Sequence, residues 1–464
     1  MTTAITLFAI FRFTAEILAV TWIGAWSLLQ GLFLIARISD SGAGSNISRV
    51  MAMRVKEGSR LDLRNFAAAS LVIASAPSII FSLLTAPIVG LYVVHQFGFE
   101  LGREELWTLV WLALLNSSVS ALATVTLAVC EGVFQLNYKS MAIIVSNFVG
   151  VISLVPLLRA AGPAGIGWTY VVISGTQLLL AAIRVIRIAA PEARFSLPSI
   201  KSHVRELWRE NLHLSGIALI RLSFEPVTKF LLSLFAPLLI IAQFELALRV
   251  TTQIRIVVQS ALQPLVALGA RSVRETHPDI HDIFDRNDRL LCIISIGLLM
   301  AQILAAPAIQ TVGMGSNSTI FLVFFAILAA GNAVNTMGIA GYYWQLTSGA
   351  LIPLVRVQAV MACANILVGS LGRLFESATL IVTAYSAAFL VGGLASRSFL
   401  PQSSFRKILA WTLIALTSAM ASAVLVLFVG PTSSVAVAAL LGCSGVFAVV
   451  CLMIVYHVSR RGIK

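Results

Sequence analysis

The sequence predicts an all-α polytopic membrane protein of about 13 transmembrane helices (12 to 14), gathered into two bundles around a central cavity, and three observations carry that prediction. Of the 464 residues, 59% are hydrophobic and only 11% are charged, against about 25% charged in ordinary soluble domains; the mean hydropathy is +0.95. Apolar runs recur from the first twenty residues to the last thirty. Many are longer than the roughly 20 residues a helix needs to cross a hydrocarbon core of about 30 Å. Lysine and arginine, finally, alternate between rich and poor in successive connections. A soluble fold is excluded by composition. An outer-membrane barrel is excluded by continuity, because its strands would be about ten residues long and alternate in polarity. Helices satisfy every backbone polar group internally, as hydrocarbon demands.

The elements follow in order. The opening AITLFAIF (4–11) is apolar but too short to cross before Arg12 and Glu16, so either the first helix starts outside or an abbreviated extra helix precedes the first full run. Full runs lie near 17–38, 66–95, 106–136, 140–158, 164–186 and 211–235. Seven more lie near 238–268, 290–310, 319–346, 350–372, 377–396, 408–429 and 432–457. No Lys or Arg stands before the opening stretch and the hydrophobicity continues beyond it, so a cleaved signal peptide is not expected. With alternate connections assigned to one side, more than twenty Lys and Arg residues fall on that side. Only Arg103, Arg159 and Arg373 fall on the other. Positive residues are retained in the cytoplasm, which predicts a multi-pass membrane protein with a cytoplasmic C-terminus. The formal net charge of +13 then serves orientation and contact with anionic headgroups, and calls for no nucleic acid.

The longest cytoplasmic connection carries Pro191 and Pro198 and ends in the amphipathic SHVRELWREN. It divides the chain into an N-terminal bundle (1–190), a linker (191–209), a C-terminal bundle (210–398) and two additional helices (399–464). Two similar halves are the architecture of many transporters. The outward connections are at most about a dozen residues, leaving no room for a soluble catalytic domain.

Charges inside spans are costly, and those that persist usually face a partner or a wet cavity. The run after the linker carries Arg221, Glu225 and Lys229, spaced four apart and therefore on one helix face. The next carries Glu245 and Arg249, again four apart, and then Arg255. A tight turn near Pro237 sets the two antiparallel, which levels Lys229 with Glu245 and Glu225 with Arg249. Four cations (Arg221, Lys229, Arg249, Arg255) against two carboxylates (Glu225, Glu245) favour an anionic ligand if they border a cavity. The other reading is that paired charges fix the register of two packed helices. Pro226, directly after Glu225, would free backbone carbonyls beside the cluster.

Asn116, Ser117, Ser118 and Ser120, Asn147, and Asn332 with Asn335 either line a sugar-compatible cavity or hydrogen-bond between helices, the commoner use. The five cysteines fall within or at the ends of spans and read as buried free thiols. No spacing suggests a metal, cofactor or catalytic site: DSGAGSN (40–46) lacks the lysine of a phosphate loop, and His277 and His281 stand in a polar connection.

Three segments carry a resemblance: IGAWSLLQGLFLIARISDSGAGSNISRVMA (23–52) with Asp40 and Gly42, AVCEGVFQLNYKSMAIIV (128–145) with Glu131 and Gly132, and IAQFELALRVTTQI (241–254). They resemble the polysaccharide-transport branch of the multidrug, oligosaccharidyl-lipid and polysaccharide exporter superfamily, the O-antigen and lipid-linked oligosaccharide flippases. The first helix is shortened and the last two exceed the family's twelve. The resemblance implies a non-enzymatic transporter of the cell inner membrane that moves an undecaprenyl-diphosphate-linked oligosaccharide by alternating access for polysaccharide or lipopolysaccharide biosynthesis. Membrane lipid, and a glycan polymerase or glycosyltransferases, would be its partners. Arg221 and Arg255 are expected to contact phosphate, Lys229 and Arg249 to add field, and Glu225 and Glu245 to hold those cations or exchange protons. A cation-coupled drug exporter of the same superfamily and a membrane-embedded glycan polymerase or ligase are the competing functions.

Overall fold

The computed structural model describes residues 2–37, 63–133, 136–188, 196–205, 224–262, 280–315, 318–348, 351–400 and 404–429, with a few single positions between them. Every regular element in these stretches is helical. Among the described residues nine helices are long and apolar enough to cross a membrane, and a shorter apolar one, Val20–Ala36, accompanies them. The last run (432–457), with Cys443 and Cys451, lies outside the described residues. The chain divides into two compact units, Met1–Phe230 and Leu231–Lys464, so the described part of the 191–209 stretch falls in the first unit.

In the first unit α1 (Thr2–Ile17) and α2 (Val20–Ala36) are separate helices, because Ala19 is extended and stops the first. Of the two arrangements open for the N-terminus, an abbreviated extra helix is the one observed. A third helix begins as α3 (Leu63–Ser70), passes through a π-helical turn (Leu71–Ser75) and continues as α4 (Ala76–Leu101). The turn widens directly before Pro77, which has no N–H to give to the carbonyl four residues back. Then follow α5 (Arg103–Gly132), α6 (Leu136–Ala161) and α7 (Ala164–Ile188). Neighbouring contacts run from α1 to α2, α2 to α5, α5 to α7, α7 to α6 and α6 back to α1, a closed ring of five helices, with α4 packed outside on α2 and α5. Burial follows position: 61% of the apolar stretch of α5 is buried but 17% of that of α7. Ile80, Leu84, Ile88 and Leu91 of α4 stand exposed, as on a surface that lipid covers. A helical stretch at 197–205 packs on this unit, where buried His203 meets Phe66 edge-on and Leu207 joins the cluster of Ile47, Met51 and Val129.

Helix α8 (Phe224–Ser233) straddles the division. The second unit continues with α9 (Leu238–Leu262), α10 (Ile280–Met314), α11 (Thr319–Met337), α12 (Ile339–Ser348), α13 (Leu351–Leu374), α14 (Ala378–Arg397) and α15 (Phe405–Val429). Here α11 is central, 67% buried over its apolar stretch, and touches α9, α10, α14 and α15. Small residues let α14 approach. A Cβ on Gly338 would stand 2.6 Å from the Gly393 carbonyl oxygen, and one on Gly393 2.2 Å from that of Val334. Such contacts supply the packing that lipid tails, as apolar as leucine, do not drive. One end of α14 is pinned to α10 by Arg397, which grips Asp288 through Nε (3.0 Å) and Nη2 (2.6 Å), both residues buried. Arg397 reads from sequence as a solvated connection charge; burial with a bidentate partner corrects that, since the pair satisfies what water would otherwise have to.

Cys130 and Cys292 are buried free thiols as expected, but Cys363 is exposed on α13. A thiol behaves as a small hydrophobe, so the lipid-facing side of a span accommodates it as readily as the interior.

Candidate functional site

Polar groups gather in three places: in the ring of the first unit, on α8 and on α9. The ring encloses a cavity of about 720 Å³, lined from α1, α2, α5, α6 and α7. Its α5 wall is built by Asn116, Ser120 and Thr124, spaced four apart and hence stacked on one face. From α2, Arg37 lies across that stripe, donating from Nη1 to Ser120 Oγ (2.8 Å) and from Nη2 to Thr124 Oγ1 (3.0 Å). Opposite, Ser174 Oγ of α7 donates to Asn116 Oδ1 at 3.0 Å. At the α5–α6 turn Lys139 Nζ donates to Glu131 Oε2 at 2.5 Å, each side chain about one-third exposed. Tyr170 of α7 adds an aromatic wall, its ring 5.3 Å from that of Trp26.

The two uses weighed for the polar span residues thus divide residue by residue. Asn116, Ser120 and Asn147 line the cavity. Ser117 bonds between helices to Ser82 at 3.2 Å, and Ser118 bonds back to the Leu114 carbonyl in its own helix. In the second unit Asn332 donates to Thr251 Oγ1 and Asn335 to the Phe389 carbonyl, both interhelical. Sequence reasoning does not single out Arg37, Gln30 or Gln177, because each is a lone polar residue in or beside an apolar run. The spacing of seven between Gln30 and Arg37, two turns on one face, is the signal that marks them.

Of the predicted site residues, Arg221 lies outside the described residues, as does Leu222, whose carbonyl Pro226 would free. On α8, Lys229 Nζ donates to Glu225 Oε1 at 2.6 Å. Lys229 is fully buried: its methylenes cross Gly31 of α2, with Cδ 2.9 Å from where a Cβ would be, and Nζ also donates to the Ser27 carbonyl at 3.2 Å. On α9, Arg249 Nε donates to Glu245 Oε1 at 2.7 Å, the carboxylate buried and the guanidinium one-third exposed. The same-face spacing of four therefore pairs each carboxylate with a cation of its own helix. Arg255 donates from Nη1 to Asn335 Oδ1 at 3.1 Å and stacks its guanidinium 4.7 Å above the Phe389 ring. It borders a crevice of about 10 Å³ with Ser295, Gln302 and Asn332, about the space of one water. Among the described residues no group of His, Cys, Asp and Glu is placed to hold a metal.

No protein-family model matches the chain, and no curated protein matches it in sequence. Solved structures do. A lipid II flippase, MurJ, in an inward closed conformation, aligns with TM-score 0.70 at 14% identity over 99% of this chain and 98% of its own. An inward-facing multidrug resistance MATE family transporter of the MOP superfamily aligns with TM-score 0.65 at 13% identity over 89% of this chain and 96% of its own. A MOP superfamily transporter from Pyrococcus furiosus, described with a binding pocket of reversed polarity, aligns with TM-score 0.53 at 13% identity over 88% of this chain and 96% of its own. At these identities the likeness is one of fold. The chain is a multi-pass membrane protein with the fold of MOP superfamily transporters.

Proposed function

We propose that the protein is a flippase that carries an undecaprenyl-diphosphate-linked oligosaccharide across the cytoplasmic membrane by alternating access, with its C-terminus in the cytoplasm. The observation that carries the reading is the extent of the fold likeness. The lipid II flippase covers 99% of this chain, whereas the multidrug transporter covers 89%. A diphosphate crossing hydrocarbon needs compensating positive charge. Arg221, Lys229, Arg249 and Arg255 exceed Glu225 and Glu245 by two charges, which supplies it. Arg249, one-third exposed beside its carboxylate, and buried Lys229, which holds Glu225, add field. Arg221 and Arg255 are assigned to phosphate, with Glu225 and Glu245 retaining the cations or exchanging protons. Glycosyltransferases or a polymerase acting on the same carrier would be the partners.

Reconstitution tests this. Purified protein in liposomes containing a fluorescent undecaprenyl-diphosphate-linked oligosaccharide is expected to expose the label to a membrane-impermeant quencher. Protection of a pump-deficient host against drugs, without lipid movement, would establish the drug-exporter reading instead. Glycosidic-bond formation by the purified chain would establish the polymerase reading.

A further inference from the structure

We infer that the chamber inside the first unit is a saccharide-binding site, separate from the charged residues of α8 and α9. The inference rests on the flippase reading only in taking the saccharide to be part of the transported glycan. Size is the first ground. At about 720 Å³ the chamber falls within the range of about 300–1,000 Å³ typical of small-molecule sites. Its wall extends roughly 22 Å along α5 from Asn116 to Glu131, at about 1.5 Å per residue, a large part of a core of about 30 Å.

Chemistry is the second ground. The lining repeats amides and hydroxyls, Gln30, Asn116, Ser120, Asn147, Ser174 and Gln177, contributed by α2, α5, α6 and α7. Each both donates and accepts, as sugar hydroxyl and acetamido groups do. An acyl chain or hydrophobic drug placed here would offer none of these groups a partner, at about 1–3 kcal/mol for each one that the protein does not itself satisfy. Two cations, Arg37 and Lys139, against one carboxylate, Glu131, give a lipophilic cation no advantage among the described lining residues. The Tyr170 ring offers a flat apolar face of the kind the C–H side of a sugar ring covers.

Rigidity is the third ground. Arg37 fixes the Ser120 and Thr124 hydroxyls, and Ser174 holds the Asn116 amide from behind. The polar groups are thus oriented in advance, which lowers the entropic cost of holding a flexible glycan. The Lys139–Glu131 pair bounds the end of the chamber at the α5–α6 turn, which the charge pattern places in the cytoplasm, the side from which a newly built glycan would enter.

The test is a glycan array carrying neutral, N-acetylated and uronate-bearing oligosaccharides, probed with the labelled full chain in detergent micelles. The wild-type chain is expected to bind at least one class. Asn116→Leu and Gln177→Leu are each expected to weaken that binding tenfold or more while eluting as folded protein. If either fails to fold, Asn116→Ala and Gln177→Ser remove the same groups without adding bulk and are expected to weaken binding alike. Wild-type protein that binds no glycan, or variants that bind as well as wild type, would overturn the inference and leave the chamber a hydrated gap in the packing. The flippase reading fails separately: a chain that binds glycans but moves no lipid-linked oligosaccharide in liposomes refutes that reading alone. One that moves it with the variants unimpaired in both assays refutes this inference alone.

Discussion

Lys229 Nζ donates to the carbonyl oxygen of Ser27 at 3.2 Å, tying α8 to α2 across 202 positions of sequence. The lysine is fully buried and also bonded to Glu225 at 2.6 Å. Only a glycine at position 31 leaves its methylenes room. A charge that reads from sequence as part of a ligand site is thus also a fastener.

Glu225→Gln removes the partner of that buried ammonium, and breaking one side of a buried ion pair costs about 3–5 kcal/mol. The variant is expected to unfold at a clearly lower temperature in micelles. Glu225→Gln with Lys229→Met is expected to recover part of the loss. Gly31→Leu, which would occupy the lysine's path, is expected to behave like Glu225→Gln.

Arg249→Ala is expected to reduce export of the lipid-linked glycan at least tenfold while the protein remains inserted and abundant, measured by surface glycan per unit of protein. Exchange of the two charges, Glu245→Arg with Arg249→Glu, keeps the pair on one face and is expected to restore stability more fully than export. Arg221→Ala and Arg255→Ala are each expected to abolish export, and normal export by both would remove the phosphate assignment.

Asp288→Asn leaves the Arg397 guanidinium buried without its counter-charge, again an expected loss of about 3–5 kcal/mol. Replacing both residues with leucine is expected to cost much less, because no charge is then stranded. Thermal unfolding of the three variants in one detergent decides it.

Gly341→Ala would set a Cβ 1.9 Å from the Ser396 carbonyl oxygen, directly beside Arg397. Backbone there cannot give without moving the end of α14, so about 1–3 kcal/mol of overpacking is expected. Lower yield of folded protein, with no change for Gly175→Ala, where a Cβ meets nothing within 4 Å, would check it.

Much of this was legible before any coordinates. Runs longer than a bilayer needs can only be helices, and the described spans follow them except at 319–346, which breaks at Gly338 into α11 and α12. The charges four apart on α8 and on α9 pair within their own helices, Lys229 with Glu225 and Arg249 with Glu245, whereas the sequence levels Lys229 with Glu245 and Glu225 with Arg249 across the turn. What the chain conceals is which polar span residues meet water and which meet another helix. Asn116 and Asn332 look alike in sequence and each bonds to a neighbouring helix, yet the first borders a chamber of about 720 Å³ and the second a crevice of about 10 Å³, because the difference depends on ring closure by helices far apart in the chain. Arg37 caps the end of α2 and is not singled out by the sequence; the neighbouring α5 stripe gives it partners in Ser120 and Thr124. Likewise Arg397 reads as a loop charge until Asp288 is placed opposite it.

That last pair constrains biogenesis. Asp288 and Arg397 are 109 positions apart. At about 5–20 residues per second a ribosome completes the aspartate roughly 5–20 s before its counter-ion. During that interval α10 carries a carboxylate that its final partner cannot yet neutralise. A nascent chain truncated short of Arg397 therefore lacks the counter-charge of Asp288, and synthesis of the end of α14 supplies it.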